Sequence, residues 1–212
     1  MACLSGMDIE AIAAEIVSRA GSVDRLVVAI AGAPGSGKST FAERLRETIA
    51  DAGETVAVVP MDGFHFDNRV LDARGLLPRK GAPETFDVEG FRHMLGRIAA
   101  REPDIAIPVF DRSIEIARAG AAIVSAQTRI ILVEGNYLLL DEQPWTQLGP
   151  LFHLTIWLDV PLEELERRLI RRWLKHGFAG GAARQKALSN DIPNAQRVAS
   201  GSRPADFVIA NG

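Results

Sequence analysis

Three glycines and a Lys-Ser-Thr triplet stand together in Gly32-Ala33-Pro34-Gly35-Ser36-Gly37-Lys38-Ser39-Thr40, a set of residue types suited to holding a polyphosphate. Glycine reaches backbone torsions closed to other residues, so successive N–H groups can turn inward around phosphate oxygens. Lys38 can reach the β and γ phosphates, Ser39 can ligate Mg²⁺, and Thr40 can cap a further phosphate oxygen. A helix starting here aims its positive end at the same anion. Gly32, four residues, then Gly37-Lys38-Ser39 is the Walker A spacing, so residues 32–40 are expected to bind a nucleoside triphosphate, with Lys38 on a solvent-facing loop.

Acids follow three apolar runs, at Asp62, Glu134 and Asp159. A phosphoryl transferase needs one carboxylate to orient Mg²⁺ and, for a hydroxyl acceptor, another to take its proton. Asp62, before Gly63, Phe64 and His65, is assigned as the base. Glu134, before Gly135, joins Ser39 in the magnesium shell, directly or through water. Asp159 precedes Pro161 and reads as a helix-entry residue. Asp87 is either a helix cap or a substrate contact. His65 is either packed or on the substrate, and Asp111-Arg112 either pair with each other or face the acceptor.

Residues 161–176 carry Arg167, Arg168, Arg171, Arg172 and Lys175. Glu163 and Glu164 can pair with Arg167 and Arg168 at helical spacing. Arg171 and Arg172 repeat the spacing without new acids, and an anion lying over this end would balance them. This is the composition of a lid that brings Arg168 and Arg172 to a transferring phosphate and Arg171 to the nucleotide, with the glycines of 177–181 as its hinge.

The elements that must position these groups follow from periodicity. Residues 25–50 read as strand, phosphate loop and helix, the helix burying Phe41, Leu45 and Ile49. A helix is expected over 7–20, after a loose extension over 1–6. Strands are expected over 55–60, 105–110, 121–125, 130–133, 154–158 and 207–209. Residues 68–86 read as a surface segment with one helical turn, 88–98 as a capped helix, and 178–194 as a mobile connection and helix. Alternating strands and helices predict an α/β fold, a mostly parallel sheet covered on both faces. Ligands in such sheets bind at the carboxyl ends of the strands, where the phosphate loop and all three acids belong.

The chain has 212 residues, 47% of them hydrophobic, and no linker-like stretch, so residues 1–212 are expected to form one domain, with 1–21 as an N-terminal helix and about 168–190 as lid and following helix. Lys plus Arg number 24 against 27 Asp plus Glu, which argues against a nucleic-acid partner. No run is long enough to cross a bilayer, the first twenty residues hold Asp8, Glu10 and Glu15, and Cys3 has no pairing cysteine. These features predict a cytoplasmic protein with no membrane partner. A homodimer stays open.

The motifs resemble one family in combination: the P-loop kinases grouped with uridine kinase, phosphoribulokinase and bacterial type I pantothenate kinase. The likeness rests on the Walker A run, Met61-Asp62-Gly63-Phe64-His65, Val70-Leu71, Arg74-Gly75-Leu76, Arg79-Lys80-Gly81, Pro83-Glu84-Thr85-Phe86-Asp87 and Val133-Glu134-Gly135-Asn136. Short bacterial members described as fructose-transport-system kinases are similar in length and over Ser189-Asn190-Asp191 and Pro193-Asn194-Ala195. The resemblance implies a three-layer P-loop NTPase fold with a small lid, ATP and Mg²⁺ as cofactors, Asp62 as general base, and Arg172 as the lid arginine that meets the phosphate. The expected activity is phosphoryl transfer from ATP to a hydroxyl of a small metabolite, a sugar or sugar-like alcohol. A nucleoside or pantothenate kinase is the alternative within the family. A regulatory NTPase or a nucleotide-binding module without catalysis is the alternative outside it.

Overall fold

The computed structural model describes residues 8–212. A central sheet holds β1 (Leu26–Gly32), β2 (Val56–Pro60), β5 (Ile130–Gly135), β6 (Leu154–Asp159) and β7 (Phe207–Ala210), in the order β2-β5-β1-β6-β7. Every pairing in it is parallel, with Leu26 opposite Ile130 and Val28 opposite Leu154. β1 is buried along its whole length. Val27, Ala29 and Ala31 enter one core and Leu26, Val28 and Ile30 the other, because successive side chains of a strand point to opposite faces.

One face is covered by α1 (Ile9–Ala20) and α2 (Lys38–Asp51), through Ile12 and Ile16 and through Ala42, Leu45 and Ile49. Asp8 caps α1 by accepting from the Ala11 N–H at 2.9 Å. The other face is covered by α4 (Val88–Ala99), whose Phe91, Leu95 and Ile98 pack with Tyr137, Leu138 and Trp145. A third, smaller cluster joins Leu165 and Leu169 of α5 (Leu162–Lys175) to Ala187, Ile192 and Ala195, beside α6 (Gly180–Lys186) and within α7 (Ile192–Gly201). At the edge of the sheet away from the loop, buried Arg25 donates to the carbonyls of Ile98, Ser125, Ala126 and Thr128 at 2.6–2.9 Å. It thereby gives the Ala126 and Thr128 carbonyls a donor and adds a second one to those of Ile98 and Ser125, which also accept from the Arg101 and Thr128 N–H groups.

Some expected elements are placed differently. The strands predicted over 105–110 and 121–125 stand outside the parallel sheet as an antiparallel hairpin, β3 (Ile105–Asp111) and β4 (Ile116–Val124). A connection this short permits only an antiparallel return. Residues 68–86 hold α3 (Asn68–Ala73) and two short 3₁₀ turns, Leu77–Arg79 and Pro83–Thr85. Residues 178–194 are helical over most of their length, with a π turn at Ala187–Asp191 joining α6 to α7. The extension expected over 1–6, with Cys3, lies outside the described residues. Among the described residues, no helix is long and apolar enough to cross a membrane.

Candidate active site

The phosphate loop leaves β1 and enters α2 through Gly35 and Gly37, at φ +83° and +89°, a region that side chains with a Cβ rarely occupy. At Gly32 the constraint is space, since a Cβ would stand 2.8 Å from Ser36 Oγ and 2.9 Å from the Leu158 carbonyl oxygen. No side chain caps α2, so its first N–H groups are open to an anion. Lys38 does not face solvent as expected. It is only 6% exposed, and its Nζ donates to the Ala33 carbonyl at 2.9 Å and to Ser36 Oγ at 3.4 Å. Burial pulls its pKa down to about 8, with Glu134 and Asp62 acting in the opposite sense.

β5 lies between β1 and β2, which sets Glu134 opposite both Ile30 and Pro60. The register therefore brings an acid from one strand end between the phosphate loop and Asp62. Ser39 Oγ donates to Glu134 Oε1 at 3.1 Å. Burial, then the neighbouring Asp62, pushes the Glu134 carboxyl above the usual carboxylate range. A buried carboxylate held toward protonation beside a hydroxyl is a fitting donor pair for a hard cation such as Mg²⁺, which takes oxygen ligands and would restore the charged form.

Asp62 sits in the 3₁₀ turn Met61–Phe64 that follows β2. A Cβ on Gly63 would come within 2.3 Å of the Pro108 carbonyl oxygen, so only glycine lets the β3–β4 hairpin close over this turn. That closure brings Arg112 Nη2 to 2.6 Å from Asp62 Oδ2. His65 packs against Phe86 and Phe110, at ring centroids 4.0 Å and 4.8 Å away. Its Nδ1 lies 2.9 Å from the Asp62 carbonyl oxygen, which can only accept. The neutral ring favoured by burial then carries its proton on Nδ1 and offers Nε2 as an acceptor.

A cavity of about 680 Å³ opens above the sheet, lined by Pro34, Gly35, Gly37, Lys38, Ser39 and Thr40 of the loop and by Asp62, His65, Arg112, Glu134 and Arg172, among others. A smaller one of about 160 Å³ adjoins it, lined by Ser39, Asp62, Arg112 and Glu134 among others. Arg172 is half-buried and makes no ion pair within 4.0 Å among the described residues. Burial lowers its pKa, as expected for a cation whose anion comes from a ligand.

Seven residues expected at the site are not part of the cavity lining: Gly32, Ala33, Ser36, Asp87, Asp111, Arg168 and Arg171. Asp87 is exposed and caps α4, accepting from the Gly90 N–H at 2.9 Å. Asp111 closes the hairpin turn by accepting from Ser113, and lies 3.4 Å from Arg118. Arg168 donates to Glu164 at 2.6 Å and to the Asn211 carbonyl at 2.8 Å, and Arg171 is exposed. Ala33 and Ser36 act from inside the loop, on Lys38.

The reading of single residues missed Lys80, Glu115, Trp173 and Asn190, all on the cavity wall. Lys80 and Asn190 lie in stretches the sequence singles out without assigning them a contact. They meet directly, Asn190 Nδ2 donating to the Lys80 carbonyl at 2.9 Å. The π turn places Asn190 there and Asp191 beside it, where Asp191 accepts from Trp173 Nε1 at 2.6 Å. A π turn widens the helix by one residue and is frequent at functional sites.

The chain is similar to several known proteins. A family model described as methylmalonyl-CoA mutase-associated GTPase MeaB matches residues 6–65, the stretch from α1 to His65. "Uncharacterized protein YggC" of Escherichia coli K12 is 38% identical over 188 residues, covering 87% of this chain and 77% of that protein. "Putative uridine kinase C227.14" of Schizosaccharomyces pombe is 32% identical over 201 residues, covering 87% and 83%. A crystal structure named as a putative fructose transport system kinase from Silicibacter sp. TM1040 superposes with a TM-score of 0.90 at 44% identity, over 96% of this chain and 99% of that one. With a phosphate loop, a facing carboxylate and relatives of this kind, the chain belongs to the P-loop kinases grouped with uridine kinase and pantothenate kinase, and it is an ATP-dependent small-molecule kinase.

Proposed function

We propose that this kinase transfers the γ-phosphoryl group of ATP to a hydroxyl of a sugar or sugar-like alcohol, with Asp62 as general base. The observation that carries the reading is the meeting of Lys38, the Ser39–Glu134 pair and Asp62 in the larger cavity, the last three lining the smaller one as well. Loop N–H groups and Lys38 hold the β and γ phosphates. Ser39 and Glu134 would hold Mg²⁺, which when bound neutralises charge on those phosphates. The acceptor O–H gives its proton to Asp62, its oxygen bonds to the γ-phosphorus, and the bond to the bridging oxygen breaks to release ADP. Arg172 faces the charge on the transferring group, and residues 168–190 act as a lid hinged near Gly177.

Several polar groups on the acceptor side suit a polyhydroxylated compound: His65 Nε2 as acceptor, with Asn136 and Asn190. The Silicibacter structure's name supports sugar among the alternatives. A nucleoside would need a stacking surface, and the Phe110 ring is already approached by His65 at 4.8 Å and by Lys80 Nζ at 5.2 Å. ADP formation on a panel of sugars, sugar acids, nucleosides and pantothenate tests this reading. Sugars and sugar acids are expected to lead. Uridine or pantothenate as the best acceptor would replace the proposal with the corresponding branch of the family.

A further inference from the structure

The acceptor wall of the cavity gathers positive charge that the protein neutralises only in part, by the Asp62 ion pair with Arg112 and by Glu115 and Asp67 at longer range from Lys80. Lys80 Nζ lies 5.2 Å and the Arg112 guanidinium carbon 5.8 Å from the centroid of the same ring, Phe110. Two cations drawn to one ring repel each other, and the attraction of a single half-buried ring for a cation, about 1 kcal/mol, is too weak to gather both without another reason. The partners of Lys80 Nζ are neutral, Asn68 Oδ1 and the Glu115 carbonyl oxygen, each at 2.7 Å. Among the described residues no carboxylate lies within 4.0 Å of it. Arg112 spends one nitrogen on Asp62, and its other guanidinium N–H groups have no partner among the described residues.

Position matters as much as charge. Asp62 and Arg112 line both cavities, so their ion pair stands where the reacting hydroxyl of the acceptor must arrive. The phosphate side has its own cations, Lys38 and Arg172, and needs neither Lys80 nor Arg112. The acids nearby are otherwise engaged or stand beyond ion-pairing distance: Asp191 holds Trp173, and Glu115 and Asp67 attract Lys80 only from beyond 4.0 Å, Glu115 meeting it directly through its backbone carbonyl. Burial also lowers the pKa of Lys80, a cost that a bound anion would reverse.

We infer that the acceptor carries an anionic group, a carboxylate or a phosphate, which Lys80 and Arg112 bind together while the hydroxyl reaches Asp62. The inference rests on the kinase reading and narrows it. In the free enzyme Arg112 leans on Asp62, and on binding its open N–H groups engage the acceptor's anion. Arg112 is then a specificity residue, and an acceptor without the anion leaves its fork half used.

Matched acceptors that differ in that group alone test this: glycerol with D-glycerate, D-glucose with D-gluconate, D-fructose with D-fructose 6-phosphate. The wild-type enzyme should favour the anionic member of at least one pair by about 100-fold or more in kcat/KM, and which pairs respond distinguishes carboxylate from phosphate. Arg112→Met and Lys80→Met should each shrink that ratio by roughly 10- to 100-fold, mainly through KM of the anionic member, as expected for hydrogen bonds to a charged group. Arg112→Lys should keep part of the preference, which separates recognition from misfolding. Preference for the neutral members, or an equal loss on both members in Arg112→Met, overturns the inference while leaving the kinase standing. Phosphorylation of no hydroxyl compound by protein that still binds ATP overturns both readings.

Discussion

On the phosphate side of the cavity, the polar groups come from residues 32–40, from one strand neighbour, Glu134, and from Arg172 of α5. On the acceptor side, Asp62, Lys80, Arg112 and Asn190 come from four segments that meet only in the folded chain. The first side is closed on itself, Lys38 on the Ala33 carbonyl and Ser39 on Glu134. The second holds cations with open hydrogen-bonding capacity. A loop of fixed spacing serves a ligand common to many enzymes. The wall assembled from distant segments can vary piece by piece, and specificity belongs there.

Substitutions that separate the two sides sharpen this contrast. The largest effect is expected from Asp62→Asn, which keeps the volume but cannot take a proton. Transfer should fall about 10²- to 10⁴-fold with nucleotide affinity retained, as a coupled assay beside a nucleotide titration will show. Loss of nucleotide binding with normal turnover at saturation would instead move Asp62 to the phosphate side.

Lys38→Met should cost activity on the order of 10²-fold or more and yet make the empty protein more stable. With a folded pKa of about 8 against 10.5 for an ordinary lysine, the folded state carries the full cost of the buried charge below pH 8. Between about pH 8 and 10.5 the unfolded chain binds more protons, so wild-type stability rises with pH and the penalty fades. The gain at pH 7 is at most about 3 kcal/mol, less roughly 1 kcal/mol for the lost hydrogen bond to Ala33. Melting temperatures of both proteins across pH 7–10 will test it. A wild-type advantage at pH 7 would show that the loop contacts outweigh the buried charge.

The lid arginines should divide as their surroundings do. Arg172→Ala is expected to lower kcat by roughly 10- to 100-fold and Arg171→Ala by no more than about twofold, since only the former lines the cavity. Equal effects would mean that α5 presents both arginines to the ligand when it binds. The smallest effect is expected from Asp87→Ala, which removes the α4 cap for about 1 kcal/mol and a few degrees in Tm, with KM for the acceptor unchanged. A clear rise in KM would return Asp87 to the acceptor side.

The same contrast explains what could be read from the sequence. The loop, its helix and the acid at the end of β5 were legible because contiguous spacing and strand alternation determine them. The hairpin was not, since its place depends on the bare backbone of Gly63 against Pro108. Arg168 and Arg172 share a helix face by spacing alone, but Glu164 and the Asn211 carbonyl lie within reach of Arg168 and not of Arg172. The pairing of Asp62 with Arg112 spans fifty positions. No local pattern encodes it.

The order of the central strands also bears on how the protein is made. β1, which launches the phosphate loop, is flanked on both edges by strands from much later in the chain, with Leu26 against Ile130 and Val28 against Leu154. At the ribosome, β1 therefore emerges as an apolar ribbon with both hydrogen-bonding edges bare, and it must wait for β5 and β6 before it has a place. Non-local pairing of this kind is slow, and the waiting strand is open to wrong partners. The loop also packs directly on β6, where a Cβ at Gly32 would stand 2.9 Å from the Leu158 carbonyl oxygen, so its surroundings are complete only once β6 is made. Nucleotide binding is thus a property of the finished chain, and a nascent chain halted before β6 would display the whole Walker A sequence without the pocket that gives it meaning.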